Sequence, residues 1–369
     1  MLDFTSALYL GLRHASESLR PWAQLTGGVP AALATPPLAR TVAGKLAEVT
    51  GTERATLARS TLHAFWDLFV ILAGGDTTIY VDAKTYPIAR WGVERAAGRG
   101  VPVRTFAHHD PTDLWRRVTE AAGSRRRPLV VADGLCPGCG TLAPIRRYLD
   151  LAREFGGMLV LDDTQALGIL GYSPGPQAPY GLGGGGSLRR HGVGATHVVL
   201  VGSLAKGFGV PIAMLGGGAA EVARFEAESA TRVHCSPPSF ADLHAAERAI
   251  EVNRRSGDAL RLRLARLVHR FRDGLSRRGL PVSRSLFPVQ SLAADVAVDA
   301  TSVHQRLARL GIRALLHQPA CRPGATVSFI ITARHTPAAI DRAVEAVAAA
   351  VSIMPVATPS PTYAVGDRR

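Results

Sequence analysis

The chain has 369 residues, 47% of them hydrophobic and 20% charged, so it is long enough to bury a large core and to form a globule of two parts. No apolar run approaches the ~18 residues of a membrane span and no basic segment opens the chain, so we expect a cytoplasmic protein with no membrane partner. The four cysteines lack regular spacing, which favours a reducing compartment.

The net charge of +14 comes from arginines dispersed along the chain. Several alternate with apolar residues on a predicted helix, at Arg261, Arg263, Arg266 and Arg270. This pattern is typical of a solvated helix face rather than of a nucleic-acid footprint, so we expect no nucleic-acid partner. A field of this sign also favours the approach of acidic partners such as CoA or an acyl carrier protein.

In chain order, residues 1–45 are expected to form an N-terminal arm with short helices. Residues 46–225 alternate short apolar runs with helical patterns, which predicts an α/β domain with a mostly parallel, doubly wound sheet. The predicted strands lie at 78–81, 128–131, 157–161 and 196–201.

Residues 226–354 are expected to form a smaller α+β domain. Ser239 is a predicted helix N-cap with Asp242 three residues on, and the apolar residues that follow recur at helical spacing. Two strands are predicted next, one alternating from 292 to 298 and the other at 326–331, and a last helix begins at Thr336 and Pro337. The Pro/Ser/Thr-rich tail at 355–369 is expected to be disordered.

Lys206 is one of only three lysines in the chain, against forty arginines. A drift from lysine to arginine spares positions that need a primary amine, because a guanidinium stays protonated and cannot condense with an aldehyde. Lys206 follows the strand predicted at 196–201, within GSLAKGFG, and open α/β sheets bind ligands at that edge. A solvated surface lysine is the simpler alternative, but a glycine-rich turn after a buried strand is not typical of one.

The strand predicted at 157–161 ends in a carboxylate pair, Asp162 and Asp163. A carboxylate at one strand end and a lysine at the next are what pyridoxal 5′-phosphate (PLP) chemistry requires. The lysine amine condenses with the PLP aldehyde, and the carboxylate keeps the pyridine nitrogen protonated. The sequence therefore predicts a PLP site, although an aspartate pair also occurs in plain strand-end turns.

Motifs spread along the chain resemble the α-oxoamine synthase group of fold-type I PLP-dependent enzymes, which contains 8-amino-7-oxononanoate synthase, 2-amino-3-ketobutyrate CoA ligase, 5-aminolevulinate synthase and serine palmitoyltransferase. The motifs are LDFTSALYLGL at 2–12, DG at 133–134 with AP at 143–144, LDDTQALGILG at 161–171 and SLAKGFG at 203–209. The resemblance runs nearly from end to end. It implies a homodimeric transferase that condenses an amino acid with an acyl thioester, an acyl-CoA or an acyl carrier protein, and releases carbon dioxide.

The resemblance also implies roles for individual residues. Lys206 would bind PLP covalently and shuttle a proton, and Asp162 would hold the pyridine nitrogen. The cofactor phosphate would be bound by Ser203 and by the segment Ser60, Thr61 and Leu62, which precedes a helix. An ordinary helix N-cap is the alternative for that segment.

Three positions depart from the family pattern. Tyr86 replaces a histidine that stacks on the PLP ring, and it too supplies an aromatic face. Gln165 replaces a second histidine; it can donate to the cofactor's phenolate oxygen but cannot carry a proton. His317 replaces an arginine that grips the amino-acid carboxylate, which indicates an altered substrate or reaction. A structural role in the core or at the surface is the alternative for each of the three.

These departures leave two other functions open. An aminotransferase, or another reaction through a Cα carbanion, fits the same scaffold. A catalytically silent partner subunit is the non-enzyme alternative, although such a subunit typically lacks the lysine.

Two further segments have no assigned role. Cys136 and Cys139 match CxxC spacing, but no second pair lies nearby where structural zinc needs four ligands, so we expect no metal. The Gly/Pro-rich stretch at 172–192 is either a loop at the mouth of the site or a surface insertion.

Overall fold

A seven-stranded sheet forms the centre of the molecule. The computed structural model describes residues 1–352 except 122, 124–125, 281–282, 284, 293–298, 320 and 322–323. The strands of this sheet are β2 (Arg54–Ala58), β3 (Thr77–Asp82), β4 (Val103–Phe106), β5 (Arg127–Asp133), β6 (Met158–Asp162), β7 (Val198–Ser203) and β8 (Ala213–Gly217). Their order is β2-β8-β7-β6-β5-β3-β4, and only the pairs made by β8 are antiparallel. The mostly parallel sheet is thus confirmed.

Helices cover both faces of this sheet. They are α1 (Pro37–Thr50), α2 (Thr61–Leu72), α3 (Pro87–Ala97), α4 (Pro111–Glu120), α5 (Ile145–Glu154), α6 (Ser187–His191), α7 (Ala219–Glu228), α8 (Ala230–His234), α9 (Phe240–Ser276), α10 (Ala300–Arg309) and α11 (Pro337–Ser352), with a short 3-10 turn at Ser16–Ser18. Alternate side chains of a strand face opposite sides. Leu161 therefore joins a core with α1, α4 and α5, whereas Val160 joins a core with α2, α3 and α7. Among the described helices, none combines the length and the apolar character that a membrane span needs.

A small antiparallel sheet and its helices form the C-terminal domain. The strands are β9 (Val289–Ser291), β11 (Leu315–His317) and β12 (Thr326–Ile330), in the order β11-β12-β9. They share a core with the second half of α9 and with α10 and α11. The capping box predicted at Ser239 and Asp242 is present at the start of α9. Of the strand predicted from 292 to 298 only Leu292 is described, and the tail at 355–369 lies outside the described residues.

The predicted N-terminal arm packs against the smaller domain. Its strand β1 (Leu2–Asp3) pairs in parallel with β10 (Ile312–Arg313), and Tyr9 is buried in the small-domain core. Helix α1 spans residue 45, where the arm was expected to end. Helix α9 serves both domains, because Leu243 lies in the large-domain core and Phe271 in the small-domain core. The domain limits at 45 and 225 stay predictions.

The expectation that the α9 arginines form a solvated face is wrong for Arg261. This side chain is only 2% exposed. Its guanidinium donates to the carbonyl of Gly168 at 2.9 Å, to Asn253 Oδ1 at 2.7 Å and to Asp258 Oδ1 at 2.6 Å. Burial of the cation is tolerated because these acceptors replace water. Helical spacing alone could not reveal them, since Gly168 comes from a distant loop.

Candidate active site

A cavity of about 190 Å³ opens at the carboxyl ends of the central parallel strands. The chain passes from β3 outward to β4 and then returns to β5 on the other side of β3. Ligands of open α/β sheets bind where the strand order reverses in this way. The cavity is lined by Thr61, Tyr86, Ile88, Asp133, Leu135, Pro137, Asp162, Thr164, Gln165, Ser203 and Lys206.

Lys206 and Asp162 share this cavity, as the sequence predicts. Asp162 ends β6, and Lys206 lies in the turn after the neighbouring parallel strand β7. Burial lowers the pKa of the Lys206 ammonium, and the carboxylates of Asp162 and Asp133 oppose that shift. Desolvation is the effect that favours the neutral, nucleophilic amine, and it is the largest of the effects on Lys206.

The two adjacent aspartates face different surroundings. Asp162 lines the cavity, and its Oδ1 accepts from the backbone N–H of Thr164 at 3.0 Å. Burial raises the pKa of Asp162, whereas the Thr164 hydrogen bonds and the Lys206 charge lower it. Asp163 accepts instead from the backbone N–H of Ser187, at 3.0 and 3.3 Å to its two oxygens. Asp162 is therefore the member of the pair that a bound cofactor can meet.

A buried tyrosine fixes the orientation of Gln165. The Tyr9 hydroxyl donates to Gln165 Oε1 at 2.6 Å. Since the amide oxygen is engaged as an acceptor, the Nε2 group is the part of Gln165 that can donate. Gln165 lines the cavity, so this donor suits an anionic oxygen there.

Tyr86 forms another wall of the cavity. The Lys206 Nζ atom lies 6.0 Å from the centroid of the Tyr86 ring. The backbone N–H of Tyr86 donates to Asp133 Oδ1 at 3.1 Å, which ties the start of α3 to the end of β5. The ring is 44% exposed, so it bounds the cavity on its open side.

The predicted phosphate-binding residues lie at two places. Thr61, the first residue of α2, and Ser203, the last residue of β7, both line the cavity. Ser60 is the residue before α2, and its hydroxyl is 2.8 Å from His63 Nδ1; Leu62 is 37% exposed. The start of α2 directs unpaired backbone N–H groups towards this end of the cavity, as anion sites require.

His317 does not line this cavity. It lies in β11 of the smaller domain, and its Nε2 atom is 2.8 Å from Ser328 Oγ on the paired strand β12. Burial lowers the pKa of His317. Its role in binding the substrate carboxylate stays a prediction.

Three polar residues at the site, Asp133, Thr164 and Tyr9, were not assigned a role from the sequence. Asp133 ends β5 directly beside Asp162, and burial followed by the Asp162 charge raises its pKa well above the ordinary value. Thr164 accepts from the backbone N–H of Ser203 at 3.1 Å through its hydroxyl. Asp133 and Tyr9 lie within motifs that resemble the family, so the sequence did mark these two positions. No sequence pattern marked the contact between Tyr9 and Gln165, because it joins distant segments.

The stretch at 172–192 is held on the surface by α9. The backbone N–H of Gly183 donates to Asp258 Oδ1 at 2.9 Å, and Asn253 Nδ2 donates to the Gly183 carbonyl at 3.0 Å. Tyr180 is buried and donates to the Leu286 carbonyl at 2.6 Å. No residue of the 172–192 stretch lines the cavity, which favours a surface insertion over a loop at the mouth of the site.

The cavity fits PLP by the chemistry of its walls. It offers a buried amine, a buried carboxylate, an aromatic face, an amide donor and a helix start, which correspond to the aldehyde, pyridine nitrogen, ring, phenolate and phosphate of the cofactor.

Comparisons with known proteins agree with this chemistry. Residues 34–347 match the family Aminotransferase class I and II. An 8-amino-7-oxononanoate synthase from Halorhodospira halophila is 30% identical over 86% of this chain and 76% of its own. A serine palmitoyltransferase from S. paucimobilis, solved with a bound PLP–myriocin aldimine, superposes with a TM-score of 0.82 at 19% identity, covering 95% of this chain and 88% of its own. An 8-amino-7-oxononanoate synthase from Francisella tularensis gives 0.74 at 17% identity, covering 95% and 98%.

The family match covers most of both domains, and the cavity contains both a lysine and an aspartate. The resemblance read from the motifs is therefore confirmed, together with the fold-type I architecture and the PLP cofactor. The chain belongs to the α-oxoamine synthase group of the class I and II aminotransferase family and is a PLP-dependent transferase.

Proposed function

We propose that Lys206 binds PLP covalently and that Asp162 holds its pyridine nitrogen, in an enzyme that joins an amino acid to an acyl thioester. The observation that carries this proposal is the shared cavity of Lys206, Asp162 and Tyr86 at the point where the strand order reverses. When bound, PLP supplies the electron sink that stabilises a carbanion at the amino acid Cα.

The residues around the cavity divide the remaining tasks. Asp162 would hold the proton on the pyridine nitrogen, since it is a buried carboxylate that lines the cavity. Lys206 Nζ would remove and return the Cα proton. Gln165 would donate from Nε2 to the phenolate oxygen, because Tyr9 engages its Oε1. Tyr86 would supply an aromatic wall for the ring, and the start of α2 with Ser203 would bind the phosphate.

The predicted binding position for the amino-acid carboxylate differs from the family pattern. An arginine would provide a permanently charged, bidentate contact, whereas His317 provides at most a single charge-assisted hydrogen bond. We therefore expect weaker selection of the amino-acid carboxylate and a larger share of recognition from the acyl thioester.

We also propose a homodimer. Helices α2 and α3 pack against each other at the cavity mouth and carry exposed large apolar side chains. These side chains are Leu62, Trp66, Tyr86 and Trp91, which are 37%, 43%, 44% and 47% exposed. Several exposed large apolar side chains on one pair of packed helices, with Tyr86 directly before α3, are typical of a protein interface.

The test combines cofactor mapping with turnover. Borohydride reduction should fix PLP on Lys206, and peptide mapping by mass spectrometry should find no label on Lys45 or Lys84. A panel of small amino acids should release carbon dioxide and free thiol only when a CoA or carrier-protein thioester is present. Keto acid formed from an amino acid without thioester would instead identify an aminotransferase. If Lys206 carries no label and no turnover is found, the remaining interpretation is a catalytically silent partner subunit.

A further inference from the structure

A second group of chemically distinctive side chains lies beside the PLP cavity. Cys136 and Cys139 lie in the loop that follows β5, within Leu135-Cys-Pro-Gly-Cys. The fold brings His108, from the segment after β4, to this loop, and the three ligand atoms lie within 4.8 Å of one another. The proposed PLP chemistry uses none of these side chains.

The spacing of these atoms suits a tetrahedral metal ion. His108 Nε2 lies 3.5 Å from Cys139 Sγ. A zinc ion with Zn–S of ~2.3 Å and Zn–N of ~2.0–2.1 Å places its nitrogen and sulfur ligands about 3.6 Å apart at the tetrahedral angle. The separation already present is therefore the one that a shared zinc ion requires.

A third cysteine comes from the smaller domain. Cys321 lies between β11 and β12, and its sulfur packs against Gly138, the residue directly before Cys139. A Cβ atom on Gly138 would stand only 2.4 Å from Cys321 Sγ and 3.2 Å from Pro319 Cβ. The absence of a side chain at position 138 lets this third sulfur pack against the CxxC turn, next to the group of three ligand atoms and not within it.

The histidine is oriented as a metal ligand. His108 Nδ1 is 2.8 Å from Asp82 Oδ1, and because a carboxylate only accepts, Nδ1 carries the proton. Asp82 is itself held by the backbone N–H groups of Lys84 at 2.8 Å and His109 at 2.9 Å. This arrangement turns Nε2, the other ring nitrogen, towards Cys139, in the carboxylate–histidine pattern found behind zinc ligands.

We propose that Cys136, Cys139, Cys321 and His108 form a structural zinc site. Thiolate and imidazole together select zinc among the common divalent ions. A disulfide between Cys136 and Cys139 would use two of the sulfurs and would leave unexplained both the third sulfur and the histidine that Asp82 orients. The loop also has the tight turn of a metal knuckle, because the N–H of Gly140 donates to the Cys136 carbonyl at 2.9 Å.

The site would join the two domains next to the active site. Leu135 and Pro137 flank Cys136 and line the PLP cavity, while Pro319 and Cys321 belong to the smaller domain. Zinc would therefore fix the cavity wall at 135–137 against the segment that follows His317. This inference does not rest on the proposed reaction, since metal binding is measured without turnover.

Metal analysis of the full-length protein tests the proposal. Wild-type protein, purified with reductant and without chelator, should contain about one zinc per chain by mass spectrometry. Cys139→Ser, Cys321→Ser and His108→Ala should each lose most of that zinc, and Asp82→Asn should weaken zinc binding on the order of 10–100-fold. Cys235→Ser is the matched control and should retain zinc, because Cys235 follows α8, outside the cluster.

A second measurement uses cobalt as a probe and does not depend on the variants. Chelator-treated wild-type protein titrated with Co²⁺ should give the visible bands of a tetrahedral thiolate site, saturating at one equivalent. Wild-type protein that holds no zinc and binds no Co²⁺ would overturn the proposal. A Cys136–Cys139 disulfide found by peptide mapping in metal-free protein would also overturn the proposal and would identify the pair as a disulfide. Full zinc content in a folded Cys321→Ser protein would show that Cys321 is not a zinc ligand.

Discussion

Asp162 and Asp163 are neighbours in sequence, yet the end of β6 assigns them opposite environments. Successive side chains of an extended segment point to opposite sides, so one carboxylate enters the cavity and the other turns to the backbone of Ser187. The first is available for cofactor chemistry, and the second holds the start of α6 in place.

Exchange of each carboxylate for its amide separates these roles. Asp162→Asn should retain PLP but slow exchange of the amino acid Cα proton on the order of 10²–10³-fold, because a neutral amide cannot hold the pyridinium proton. Asp163→Asn should stay close to wild type, since asparagine Oδ1 still accepts from Ser187. Proton NMR in D₂O measures the exchange. An active Asp162→Asn beside an inactive Asp163→Asn would reverse the assignment.

The buried Asp163 also predicts a pH dependence of stability. Burial raises its pKa from 3.8 to about 7 in the folded state. The folded protein then binds this proton more tightly than the unfolded chain, so stability falls as the pH rises from about 4 to about 7 and is level above. Relative to Asp163→Asn, wild type should lose on the order of 3–4 kcal/mol of unfolding free energy across this window. Urea denaturation at pH 4.5, 6 and 8 checks this; a difference that does not change with pH would contradict it.

At the scale of elements, α9 connects the two domains through its buried face. Arg261 on this helix donates to the Gly168 carbonyl, in the loop that follows the Asp162 strand, and to Asp258 and Asn253, which hold the 172–192 insertion. The helix thus holds the loop that follows the Asp162 strand.

Removal of this cation should destabilise the fold. Arg261→Met keeps much of the volume but leaves the Gly168 carbonyl and Asn253 Oδ1 without their donor, which should cost about 2–3 kcal/mol in urea denaturation. Arg266→Met, at an exposed position on the same helix, is the control and should change stability by less than about 0.5 kcal/mol. Equal effects of the two substitutions would show that the burial of Arg261 contributes nothing.

At the scale of the whole molecule, the apolar patch on α2 and α3 predicts the assembly state. Light scattering should give twice the 39.0 kDa of the chain. A Trp66→Glu, Trp91→Glu double variant should give the monomer mass, because two charges cannot be buried unpaired at an interface. Trp115→Glu is the control: Trp115 is 52% exposed on α4, which covers the other face of the sheet. A monomeric wild type, or dissociation caused by Trp115→Glu, would place the interface elsewhere or remove it.

The sequence by itself determined the mostly parallel sheet, the order of its main strands along the chain, and the shared location of Lys206 and Asp162. Hydrophobic periodicity, the α9 capping box and the rarity of lysine are local signals. Each of them can be recognised without knowledge of distant contacts. The strands predicted at 78–81 and 128–131 lie within β3 and β5, and those predicted at 157–161 and 196–201 overlap β6 and β7. Lys206 shares a cavity with Asp162 because adjacent parallel strands end at one edge of the sheet.

Only the tertiary structure decided which residues from distant segments meet. It tied Asp163 to the backbone of Ser187, oriented Gln165 through Tyr9, buried Arg261 under a loop carbonyl and placed His317 away from the cavity. It also brought His108 and Cys321 to a CxxC pair that local spacing leaves incomplete. The physical reason is common to all of these: hydrogen bonds, desolvation and metal coordination depend on three-dimensional proximity, which a pattern in one segment does not encode.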